Sequence, residues 1–178
     1  MQLHELAIAC YAFDALTGYN RAYTELAEAT ALAPDLARPK HRLAVLRFLR
    51  RWGCRHLAVE HVGSQSEALR RWYSEWALAL PPRVCKAWDL SDDQLDRAAE
   101  AYRALAASRA HDSRTVRGGR SVPIGATAAG KVLFVLRPHA FPPPDEATRK
   151  SMKLMGLADN YRGIIGWVRD ECRELEAQ

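Results

Sequence analysis

The sequence predicts an all-α fold: a compact bundle of about eight helices with little or no strand, in a single domain over residues 1–178. Three observations predict it. Apolar residues recur at three-and-four spacing in one segment after another. The breaks between those segments carry Gly, Pro, Ser or Asp in helix start and stop positions. No internal repeat or low-complexity tract interrupts them. Hydrophobic residues make up 48% and charged residues 26%, the balance of a soluble globular chain rather than a disordered or fibrous one.

Residues 2–16 place Leu3, Leu6, Ile8, Ala9, Phe13 and Leu16 at helical spacing, with Gly18 as a stop. A second helix covers 20–31, with Asn20 as its cap and Tyr23, Leu26 and Ala27 inward. The two prolines of Ala33–Pro39 make a connection. Residues 40–52 are a strong helix built on Leu43, Leu46, Phe48 and Leu49, and Arg47, Arg50 and Arg51 share a face of it. Residues 64–80 follow, with the stripe Leu69, Trp72, Tyr73, Trp76 and Leu80; at this spacing such a stripe reads as core before it reads as a platform for stacked bases. A short element near Trp88 precedes the capping box Ser91–Gln94, whose helix is expected to run to about Ala110.

His111–Gly125 is read as one extended, flexible basic loop, with Arg114, Arg117 and Arg120 around Gly118–Gly119. Such a loop either folds against phosphates or is simply solvated. Ala126–Leu136 is an apolar helix that opens on small residues, although its β-branched run also admits a strand. Pro144 and Asp145 open a basic helix that carries Arg149, and a last helix covers 159–176. Residues 121–156 concentrate the unusual choices and form the expected functional core.

Several functional classes are set aside. No run of about 18 apolar residues exists, so no membrane span is expected. The N-terminus lacks a basic segment and carries Glu5 and Asp14, so a signal peptide is not expected and a cytoplasmic location is. Cys10, Cys54, Cys85 and Cys172 are scattered, which suits free thiols rather than a metal cluster. His56 and His61 flank Glu60, but a separation of five puts them about 140° apart on a helix, so no metal or other cofactor is expected. The net charge of +5, carried mainly by Arg, is compatible with a phosphate-bearing partner.

Two residues stand out as catalytic candidates. Asp145 follows three prolines and is either a helix cap or a fixed carboxylate able to stabilise a sugar cation or activate a water. Lys131 sits in an otherwise apolar helix, where it either snorkels out or is desolvated into a nucleophile.

The order of small-residue turn, Thr-Ala, apolar helix and Pro-x-Asp, with a basic residue four positions on, resembles the core of the helix-hairpin-helix DNA glycosylase superfamily. That resemblance covers about 35 residues, on the order of a fifth of the chain. It implies that Pro123, Ile124 and Gly125 match part of the backbone-gripping hairpin, and Thr127–Ala128 the small pair that opens its second helix. It also implies that Asp145 is the catalytic carboxylate and Arg149 its basic companion. The hairpin's first glycine is missing, and Ala126 stands where bifunctional members carry lysine. The stretch from Arg50 to Leu105, with RRWGCR and YRAL, is similar to uncharacterised bacterial helical proteins. The expectation is a DNA glycosylase-like helical protein that binds or acts on nucleic acid or a nucleotide-like ligand. Its phosphate contacts would come from Arg114, Arg117, Arg120, Gly125, Thr127 and Arg149. The alternatives are a small-molecule enzyme that uses Asp145 on a derived helical scaffold, and a non-catalytic helical binding protein.

Overall fold

Apolar residues at helical spacing must bury one face, and among the described residues six helices do so around one shared cluster that runs in sequence from Ala22 to Ile165. The computed structural model describes residues 19–113, 120–143 and 160–176. Its helices are α1 (Tyr19–Thr30), α2 (Pro39–Arg51), α3 (Val62–Trp76), α4 (Asp92–Ala107), α5 (Ala126–Leu136) and α6 (Tyr161–Glu176). Short 3-10 turns occupy Val59–His61, Ala77–Ala79 and Ala87–Asp89. Between α4 and α5 lie two antiparallel strands, β1 (Arg109–Ser113) and β2 (Arg120–Pro123). The fold is therefore helix-dominated. The helices expected at 2–16 and after Pro144 lie outside the described residues.

Local chemistry explains the boundaries. Pro39 sits in the first turn of α2, where its missing N–H costs nothing, and Arg50 and Arg51 close its last turn. The buried face of α2 is Val45, Leu46, Phe48 and Leu49, with Arg42 buried beside them. That guanidinium is satisfied: its Nε donates to Ser66 Oγ, and Nη1 to the carbonyls of Leu36 and Ala37, all at 2.8 Å. Trp72 of α3 is buried and donates its indole N–H to the Ala101 carbonyl at 2.8 Å, which ties α3 to α4. The Ser91 capping box forms as expected, Ser91 Oγ accepting from the Gln94 amide and the Gln94 side chain accepting from the Ser91 amide. Helix α5, predicted over the same residues, is buried along most of its circumference and packs against α2 and α4. Helix α6 is held on by arginines: Arg162 to Asp96, Arg169 to Asp92 at 2.9 Å, and Arg173 to the Trp88 carbonyl at 2.8 Å.

The expectation of little or no strand needs correcting at one place. The basic loop expected over His111–Gly125 is in part a hairpin, and α4 stops at Ala107 instead of reaching Ala110. Ser108 causes the stop. It turns to extended ψ (132°), its hydroxyl donates back to the Ala104 carbonyl at 2.8 Å, and its own carbonyl accepts the Ile124 amide at 2.8 Å. The chain then pairs His111 with Val122, Asp112 with Ser121 and Ser113 with Arg120. An irregularity between Arg109 and His111 places Ala110, fully buried, at a bulge.

Candidate functional site

The hairpin leaves α4 and returns to it. The Gly125 amide donates to the Ala106 carbonyl at 3.0 Å, one turn from where the chain departed. Helices α4 and α5 are thus a helix pair whose connection is a β-hairpin. Gly125 makes the corner at φ 82°, ψ 158°, a region almost closed to residues with a Cβ. His56 braces it: His56 Nε2 lies 2.7 Å from the Ile124 carbonyl, and a Cβ added at Gly125 would stand 3.5 Å from the same nitrogen.

Beside the hairpin is a cleft of about 690 Å³ between α3, the end of α4 and β1. This volume is in the range of small-ligand sites. The floor includes Trp72, Ala68 and Ala110, and the half-buried Trp76 lines the wall. Arg71 and Glu75 come from α3, and Arg109 and Asp112 from β1. At one end His61, which leads into α3, stacks on His111 of β1, with ring centroids 4.1 Å apart and planes 9° from parallel. His111 Nδ1 is buried and has no hydrogen-bond partner. Burial first, and then the neighbouring His61 and His56, hold the His111 pKa below the ordinary imidazole value, while Glu60 opposes them. Parallel rings this close cannot both aim an in-plane lone pair at one ion. Among the described residues no group of three or more His, Cys, Asp or Glu is gathered for a metal.

The residues singled out in the sequence fall in different places. Lys131 is not at a ligand surface. It is buried, its ammonium donates to the Trp52 carbonyl, and it lies 5.6 Å from the centre of the Trp52 ring. The donor is engaged, and the amine lines none of the described clefts. Gly125 likewise has its amide engaged by Ala106, which removes that N–H from the set available to a phosphate. Thr127 is half-buried in the first turn of α5. Arg120 is described only as the backbone residue opening β2. Arg114, Arg117, Asp145 and Arg149 lie outside the described residues. The free thiols are Cys54, buried, with Cys85 and Cys172 half-buried; Cys10 is outside the described residues.

The stacked imidazoles were missed by sequence reasoning. They are fifty positions apart, and no spacing rule connects them. Comparisons of the chain with protein-family models, with curated proteins and with solved structures find no match.

Proposed function

We propose that the protein binds nucleic acid or a nucleotide-like ligand through the α4–hairpin–α5 unit, with the cleft beside β1 receiving one nucleotide unit. The observation that carries this reading is the lining of the cleft. Two guanidiniums, Arg71 and Arg109, stand with the carboxylates of Glu75 and Asp112 at a concavity of about 690 Å³ whose wall includes the partly exposed Trp76 and two parallel imidazoles. Guanidinium forks suit phosphates, and flat rings suit bases. The segment joining β1 to β2 adds Arg114 and Arg117 next to the same strand in sequence. The glycosylase-like resemblance belongs to this reading: a helix pair with a connecting hairpin precedes Asp145, which is the proposed carboxylate for attack at a glycosidic bond. A cytoplasmic location belongs to the same proposal.

The test is fluorescence anisotropy with labelled single-stranded and duplex oligonucleotides at 20–200 mM salt, the range over which phosphate contacts change binding most visibly (roughly a decade in salt). Binding should weaken steeply with salt. Trp76→Ala should cost about 1–3 kcal/mol if a base stacks there. No binding of either oligonucleotide at the lowest salt refutes the reading.

A further inference from the structure

The charge of the cleft is undecided until its histidines are counted. Its lining holds two arginines, Arg71 and Arg109, and two carboxylates, Glu75 and Asp112, which cancel. Arg109 is already paired with Asp112, and Arg71 lies 3.6 Å from Glu67 on its own helix. Two imidazoles, His61 and His111, complete the lining, and the buried His111 Nδ1 has no hydrogen-bond partner. The two rings stack face to face at 4.1 Å, so positive charge on one ring disfavours positive charge on the other.

We infer that the cleft binds its anionic ligand together with a proton on the His61–His111 pair, so that affinity rises as pH falls. This rests on the reading of the cleft as a phosphate-recognising site. Every element packed against the pair contributes charge. The turn before α3 brings His56 and Glu60, α3 brings Arg71 and Glu75, and β1 brings Arg109 and Asp112. Burial and the neighbouring histidines hold the His111 pKa below the ordinary imidazole value and so disfavour its charged form. A phosphodiester held by Arg71 and Arg109 would bring negative charge into the cleft that the stack lines. This charge favours the imidazolium, and by linkage the imidazolium favours the phosphodiester by the same factor. The ligand class follows: an anion whose own charge is constant over this pH range, such as a nucleic-acid backbone, is taken up more tightly in mildly acidic solution.

The experiment uses the full chain and a short single-stranded oligonucleotide, whose phosphodiesters do not titrate between about pH 5 and 8. Anisotropy should show affinity rising as pH falls from about 8 to 5.5, by at most about tenfold per unit for one linked proton. Titration calorimetry in two buffers of different ionisation enthalpy should show net proton uptake near pH 6.5. His61→Gln and His111→Gln should flatten the pH profile, whatever they do to affinity at pH 8. Binding with a flat wild-type profile and no proton uptake overturns the linkage and leaves the binding reading standing. A pH slope that survives in the double variant also overturns it, because the proton then sits elsewhere. If one variant fails to fold, the pH profile of the other, set against the proton uptake of the wild type, decides. No binding at any pH removes both proposals.

Discussion

Gly125→Ala should destabilise the protein by about 2 kcal/mol, and the reason is backbone rather than packing. At φ 82° and ψ 158° this residue occupies a region that costs a residue with a Cβ about 1–3 kcal/mol. Sterics add little, since the nearest atom to an added Cβ is His56 Nε2 at 3.5 Å, an ordinary contact. The smaller unfolded-state entropy of alanine returns about 0.4–1 kcal/mol. Relaxation is blocked on both sides. The Gly125 amide donates to Ala106, and its carbonyl accepts the Ala129 amide at 3.0 Å, so rotating φ to negative values sacrifices hydrogen bonds worth about 1 kcal/mol each. For a chain of this size, 1 kcal/mol moves the melting temperature by about 2–4 °C, so a fall of roughly 4–8 °C is expected. Thermal unfolding followed by circular dichroism measures it. Gly63→Ala is the control: that glycine lies in the first turn of α3 with negative φ and no atom within 4 Å of an added Cβ. It should gain about 0.5–1 kcal/mol, as helical alanine does over glycine. A Gly125→Ala protein melting within about a degree of wild type would refute the argument that this corner is strained for all but glycine.

Leu32→Gly should raise the melting temperature by a degree or two. Leu32 has φ 56° and is 68% exposed, so relief of about 1–2 kcal/mol of left-handed strain exceeds the entropic cost of glycine while little burial is lost. Lys131→Ala should cost about 2–5 kcal/mol through the cavity and the lost hydrogen bond to the Trp52 carbonyl, while the folded variant, assayed in the cold, binds oligonucleotides as wild type does. His111 supplies a pH dependence of stability. A base whose folded pKa is depressed favours the fold while neutral, so its contribution is whole above the unfolded value near 6.5 and is lost as pH falls through the folded one. Between pH 7.5 and 5 the melting temperature of wild type should therefore fall further than that of His111→Gln, and equal falls would show that His111 is not the group responsible.

The helices were legible because each buries a face at helical spacing and begins on a recognisable signal. Ser91 with Gln94 announced α4, and the small residues after Gly125 announced α5 over its observed span. The hairpin was not legible, for a physical reason. RAHDS and RSVP show no sustained alternation, because their pairing is satisfied by backbone and, of residues 109–112, Ala110 alone is fully buried. Ala110 also continued the helical phase of α4, so nothing but the Ser108 back-bond distinguished the two outcomes. The site was less legible still. His56 and His61 were set aside because their spacing fails as a metal pair. Their observed partners, the Ile124 carbonyl and the His111 ring, come from chain far away. Lys131 was conspicuous in sequence because it interrupts an apolar helix, and it is conspicuous in the structure for another reason, a buried donor matched to one carbonyl.

The way α4 and α5 are joined separates two kinds of grip on a phosphate backbone. A tight hairpin grips with main-chain amides, which are neutral and displace few counterions. Here the Gly125 amide is bonded to Ala106 and the connection is a two-stranded hairpin, so the cations nearest the cleft are Arg71 and Arg109. Each guanidinium that neutralises a phosphate on a single strand adds about 0.7 to the slope of log affinity against log salt. Arg71→Gln and Arg109→Gln should therefore each lower the slope by roughly that amount as well as weakening binding. A slope near zero with binding intact would mean that amides do the gripping after all, and would move the contact surface away from the cleft to the N-terminal turn of α5. A slope that falls with each arginine removed places the phosphates along β1, within reach of the His61–His111 stack.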